Sequence, residues 1–298
     1  MSLTNTKTKI IIYATLVLSA VCAALRAACT LFFYEGNIGY YASGALLPVI
    51  TDILFWLSVA ALIFLSFFYF RKNGSVGPVK GMTRYFALLP ATAFLYPLAE
   101  KAKEIITELK KPFGEIGIFS VLIIVSILTS IVFFALIAFS DEVSNTVTVI
   151  AGVGVILWLA LCWIESYGDF FTPMNSPDKT FFHFACVGSA LFIVGELRAL
   201  CSASKPRSYF SYLAICILST SSFVISNIFD RINGISLKNA SSLAQTVVIA
   251  AILVYAVARA CSLLPKAEKP APEAQVAAAE SEIAVEDKTE SAEDFQSE

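Results

Sequence analysis

Arg26 and Asp52 each stand inside a long apolar stretch, where an ionised side chain costs roughly 2.5–3.5 kcal/mol at the centre of a bilayer. Arg26 lies late in Ile10–Phe33 and Asp52 early in Ala45–Phe70. If the two stretches are adjacent antiparallel helices, these residues share one depth, roughly 10–12 Å below the surface. Two roles are open to such a pair: lining a solute or ion pathway, or neutralising itself while clamping the hairpin. At helical spacing Arg26 shares a face with Ser19, Cys22, Ala23, Cys29 and Thr30, opposite Leu18, Val21, Leu25 and Phe32. Stripes of small and polar residues face neighbouring helices, so Arg26 is expected to point inward.

A second polar stripe begins at Tyr212 and continues through Ser219, Ser222, Ser226 and Asp230 at intervals of three, four or seven. It has the spacing of a hydrated cavity wall. Serines in membrane helices more often bond back to a carbonyl or pack against a neighbour, and that is the expectation here. Glu196 and Arg259 fall near one end of a bundle in which every stretch crosses, so they are expected to pair, with Arg198 snorkelling to the interface. Ala20, Ala24 and Ala28 permit close helix packing.

Catalytic chemistry has little to stand on. His183 is the one histidine, which excludes bis-histidine haem and multi-histidine metal sites. HExxH and phosphate-cradling glycine loops are absent. Gly188-Ser189 lies near His183 without the rest of a nucleophile motif, and Gly168-Asp169 lacks a second aspartate for an aspartyl dyad. No cofactor, metal or nucleic acid is expected.

The elements that hold these residues are eight apolar stretches: Ile10–Phe33, Ala45–Phe70, Tyr85–Ala99, Ile116–Phe139, Val147–Ile164, Thr180–Leu200, Tyr209–Phe229 and Leu243–Leu264. About 20 mostly apolar residues cross a hydrocarbon core of roughly 30 Å, and backbone groups there must bond within their own segment. The expected fold is therefore an all-α polytopic helical membrane bundle over residues 1–264, in contact with the lipid bilayer. With 57% apolar and 15% charged residues, a soluble globular domain is excluded.

The charge is divided unevenly. Residues 1–264 carry 18 Lys and Arg against 13 Asp and Glu, whereas 265–298 carry three Lys against ten acids. The latter segment, rich in Ala, Glu, Pro and Ser, reads as a disordered acidic tail able to meet a protein partner. All seven cysteines lie in or at the ends of apolar stretches without CxxC spacing, as small buried hydrophobes rather than a disulfide framework. The first stretch is too long for a signal-peptide core and is expected to be an uncleaved anchor.

Tyr85–Ala99 is the weak member, with fifteen residues and two prolines, Pro90 and Pro97. Eight spans put both termini in the cytoplasm, with ten basic loop residues inside against seven outside. A re-entrant third stretch leaves seven spans and places thirteen inside against four, so the charge rule leans that way. Eight is the expectation, because the 202–207 turn has a cytoplasmic character and Glu100–Lys111 extends the third helix, with Ile105, Ile106 and Leu109 on one face. Similar acid, glycine and paired-aromatic turns at Tyr34–Tyr41 and Glu165–Phe171 fit a 4+4 repeat, although interfaces commonly gather such residues.

The basic start, the arginine late in the first stretch, the aromatic turn and Gly195-Glu196-x-Arg198 resemble multi-spanning membrane proteins of Gram-positive bacteria that have no assigned function. That resemblance implies the eight-helix layout and no activity. Two functions are carried forward for a multi-pass protein of the cell membrane. One is a small-solute permease or transport component, with Arg26, Asp52 and the seventh-stretch stripe along the route. The other is a non-catalytic scaffold or sensor that presents its tail to a cytoplasmic partner.

Overall fold

The computed structural model describes residues 5–70, 75–109, 117–139, 145–170, 172–173, 175–235 and 241–264. The acidic tail, Lys111 and Phe171 lie outside the described residues, as do the side chains of Ile105 and Leu109. Helix α1 (Asn5–Phe33) leads through a two-stranded hairpin, β1 (Tyr34–Glu35) and β2 (Tyr40–Tyr41), into α2 (Leu46–Tyr69). A 3-10 segment (Gly81–Ala87) continues into α3 (Leu88–Ala93) and α4 (Leu95–Leu109). There follow α5 (Ile118–Phe139), α6 (Asn145–Gly168), α7 (Pro177–Leu200), α8 (Pro206–Asn233) and α9 (Leu243–Ser262).

Local chemistry sets these boundaries. Ser176 caps α7 by accepting from the Lys179 amide, and Pro177 follows at the first helical position, where its missing N–H costs nothing. Ser242 and Gln245 form a reciprocal capping box at the start of α9. Gly234 ends α8 at φ +60°, a left-handed conformation that glycine adopts without a Cβ penalty. The hairpin closes with Tyr34 opposite Tyr41, their rings edge to face at 5.7 Å.

Among the described residues seven helices are long and apolar enough to cross a membrane: α1, α2, α5, α6, α7, α8 and α9. The outer surfaces of α2 and α5 present large apolar side chains, among them Leu46, Val49, Ile53, Trp56, Leu57, Phe64, Ile118, Leu128 and Phe139. A continuous apolar exterior of that kind is a lipid-facing surface. Helix α8 occupies the middle, packed against α1, α2, α7 and α9. Among the described helices it carries the most buried hydroxyls, including Ser219, Thr220 and Ser222.

The third apolar stretch also crosses, but as a broken helix. Near the end of α9, Arg259 donates to the carbonyl of Gly77. At its beginning, Ser242 donates to Glu100 at 3.4 Å. The chain from Gly77 to Glu100 therefore runs the length of α9, about 30 Å for twenty residues at 1.5 Å each. Pro90 and Pro97 cannot donate to Phe86 and Ala93, and the interruptions fall beside those acceptors. The described chain therefore runs along the bundle eight times, and the bundle begins and ends at one end. This "near end" holds the start of α1, the 75–80 connection and the α7–α8 turn, where the Val76 amide donates to the Ser204 carbonyl at 3.1 Å. The opposite, "far" end holds the hairpin and the start of α9.

Candidate functional site

Arg26 and Asp52 meet at 2.8 Å between Nη1 and Oδ1, as antiparallel α1 and α2 require. The pair is lopsided: the arginine side chain is 3% exposed and the aspartate 50%. Arg26 is covered by aromatic faces, its guanidinium carbon 3.7 Å from the centroid of Phe181 and 5.1 Å from that of Tyr41. Burial pushes the Tyr41 phenol above its ordinary value, with the adjacent guanidinium acting in the opposite direction. Arg26 lines a cavity with Thr30, Ser226 and Asp230 whose volume is about 10 Å³. That is room for about one water and no solute. The geometry at this position is that of a clamp.

The α8 stripe is occupied by helix chemistry. Ser219 donates to the Ile215 carbonyl at 2.8 Å and Ser222 to Leu218 at 2.8 Å. Ser226 reaches across to Thr30 at 2.5 Å, while Asp230 borders the small cavity. Ser219 also marks a close approach of α7 to α8. A Cβ on Gly188 of α7 would collide with its hydroxyl and sit 3.2 Å from the Ile215 carbonyl. Further along α8, Asn227 accepts from Arg231 at 2.7 Å and from Thr246 at 3.0 Å, joining α8 to α9 at the far end.

Glu196 and Arg259 form the second ion pair, at 3.1 Å, with side chains 2% and 4% exposed. Sequence reasoning found the two charges but missed the residues that make their burial tolerable. Tyr209 and Tyr255 both donate to the Glu196 carboxylate, and Arg259 Nε lies 2.9 Å from the Tyr209 oxygen. Gly77 accepts from the other end of the arginine, at Nη2. A buried pair is sustained when such bonds satisfy its remaining donors and acceptors. The tyrosine at 209 stands thirteen positions from Glu196, across a helix–helix turn, a separation that carries no helical periodicity.

A space large enough for a solute lies elsewhere. A cavity of about 480 Å³ opens at the far end between α4, α5, α6 and α9. Its inner wall is apolar, formed by Pro97, Ile123, Ile127, Trp158, Leu161 and Cys162. Its rim is polar: Glu100, Lys101, Glu165, Ser166 and Asp169, completed by Ser241, Ser242 and Gln245. Lys101 lies 3.6 Å from Glu165, whose second oxygen accepts from Gln245 at 3.1 Å. Ser166, 4% exposed, has a hydroxyl without a hydrogen-bond partner.

Trp158 sits ten residues before the end of α6, roughly 15 Å down the helix and about half of a hydrocarbon core of roughly 30 Å. Below it the path is filled by rings. Phe94 contacts Trp158 at 4.8 Å and Phe134 at 6.1 Å, Phe134 contacts Tyr255 at 5.9 Å, and Tyr255 contacts Phe192 at 5.7 Å. Tyr255 then touches Glu196, so an aromatic layer separates the cavity from the near-end ion pair.

The sequence held one pointer to this site. A short, proline-interrupted membrane segment marks the place where a bundle is irregular enough to hold a ligand, and α3–α4 is that segment. Glu165 stood in the aromatic turn noted from the sequence, although the two turns fold differently. Tyr34–Tyr41 forms a hairpin, whereas Glu165 belongs to the last turn of α6. Among the described residues no cluster of three or more His, Cys, Asp or Glu has the arrangement of a metal site. Searches against protein-family models, curated proteins and solved structures found no match to this chain.

Proposed function

We propose that this multi-spanning membrane protein is a carrier or transport component for a small solute, which binds in the far-end cavity. The observation behind this reading is the cavity's form. It is polar at the mouth, apolar below, about 480 Å³ in volume, and ends on an aromatic layer midway through the bundle. Ligand sites in helical bundles have this size and this mixture of apolar wall and few polar groups. Their position beside a discontinuous helix near the midplane is the arrangement by which carriers expose one site to alternate sides. Lys7, Lys9, Lys80, Arg84, Lys205 and Arg207 gather at the near end, which supports a cytoplasmic near end. The cavity then faces outward.

The native cysteine in the cavity wall provides a test. A variant retaining Cys162 alone, reconstituted in vesicles, is treated with a membrane-impermeant thiol reagent from either side. Labelling from the far-end side, slowed by a bound solute, is the expected result. A Cys162 that resists reagent from both sides removes the cavity from consideration as a solute site.

A further inference from the structure

The chemical class of the occupant follows from the two ends of the cavity, and the inference rests on the solute-binding reading above. Among the described residues of the rim, Glu100, Glu165 and Asp169 stand with Lys101 as the one cation. Against those described side chains an anionic solute would meet more like charge than opposite charge. Glu165 is the carboxylate best placed to take a ligand. Its separation of 3.6 Å from Lys101 is longer than the roughly 2.7–2.9 Å of a charge-assisted hydrogen bond. A carboxylate accepts about four hydrogen bonds in all, and Gln245 holds the group in place with one of them.

Ser166, the next residue along α6, adds an independent sign. Its hydroxyl is buried in the cavity wall without a partner, and buried polar atoms in native proteins are usually satisfied. An ammonium bound at Glu165 would supply the missing donor. On the inner side Trp158 and Ile127 offer a flat apolar surface, and an indole face also attracts a cation.

We infer that the cavity binds a primary ammonium carried on a ring-sized apolar body. The ammonium sits between Glu165 and Ser166 and displaces Lys101, while the body lies against Trp158 and Ile127. An apolar body gains burial below the rim, and the charge remains near the wet mouth.

The test uses the full chain in nanodiscs with Trp56 and Trp163 replaced by phenylalanine, so that Trp158 alone reports. It is titrated with 2-phenylethylamine, 2-phenylethanol and 3-phenylpropionate. The amine is expected to change Trp158 emission at concentrations at least about tenfold below either analogue. Glu165→Gln, which preserves a partner for Gln245, is expected to weaken the amine about tenfold. Lys101→Gln is expected to tighten it, a change of sign that a misfolded variant would not produce.

Equal or tighter binding of the propionate overturns the ammonium assignment and leaves the cavity as a solute site. Amine binding indifferent to Glu165→Gln also overturns the assignment. Failure of all three compounds to bind removes the solute-binding reading itself. Nanodiscs with and without phosphatidylethanolamine distinguish the source of the ammonium. Weaker amine binding in the presence of that lipid identifies a lipid headgroup, and unchanged binding a dissolved amine.

Discussion

Arg259, in the last turn of α9, donates to the backbone carbonyl of Gly77, nearly two hundred residues earlier in the chain. The same guanidinium pairs with Glu196 on α7 and contacts Tyr209 on α8. One side chain thus fastens three helices and the α2–α3 connection at the near end.

Breaking this group from one side is expected to be costly. Arg259→Ala leaves Glu196 charged and buried, which costs about 3–5 kcal/mol. Thermal unfolding of the purified protein in detergent should register a large loss. The double variant Glu196→Leu, Arg259→Met should recover a substantial part of it, because no buried charge remains uncompensated. An unaltered melting temperature for Arg259→Ala would refute the fastening role.

The Arg26–Asp52 clamp should respond asymmetrically. Asp52→Asn takes the counter-ion from the buried Arg26 but leaves it an amide oxygen and the rings of Phe181 and Tyr41, and is expected to cost about 1–3 kcal/mol. Arg26→Ala loses the ion pair together with the stacking on Phe181 and Tyr41, and should cost more. Melting curves for both variants decide the order. If Asp52→Asn melts unchanged yet abolishes solute uptake, the clamp reading fails and the pair belongs to a pathway.

Gly188 is required by its neighbours rather than by its own backbone conformation. Gly188→Val would drive its side chain into Ser219 and the Ile215 carbonyl, separating α7 from α8. Overpacking of this kind costs about 1–3 kcal/mol. Gly188→Val combined with Ser219→Ala is expected to regain part of the loss. Yield of monodisperse protein and its melting temperature are the measurements, and no recovery would locate the collision elsewhere.

The fold was legible where length and hydropathy decide the outcome. Seven stretches were long and apolar enough to be unambiguous, and their order alone brings Arg26 to Asp52. The doubtful stretch, Tyr85–Ala99, could not be placed by composition, because its crossing depends on anchors to α9 that are distant in sequence. Pairing of Glu196 with Arg259 followed from the span count, whereas Tyr209 and Tyr255 come into register through helix rotation. The large cavity was hidden for a related reason. Its wall is shared among four helices, and the α6 face that contributes most to it, Trp158, Leu161, Cys162, Glu165 and Ser166, turns polar only near the end of the helix. Of the stripe that was visible, on α8, Ser219 and Ser222 proved to be spent on their own helix's carbonyls and Ser226 on Thr30 of α1.

The break at Phe94 bears on how the protein is made. The apolar stretch Tyr85–Ala99, fifteen residues with two prolines and followed at once by Glu100 and Lys101, is too short to enter a bilayer unaided. Its two anchors, Ser242 and Arg259, belong to α9, the last of the described helices to leave the ribosome. During synthesis the early part of the chain must wait with this segment unsecured, and its final threading is completed when α9 arrives to hold both ends.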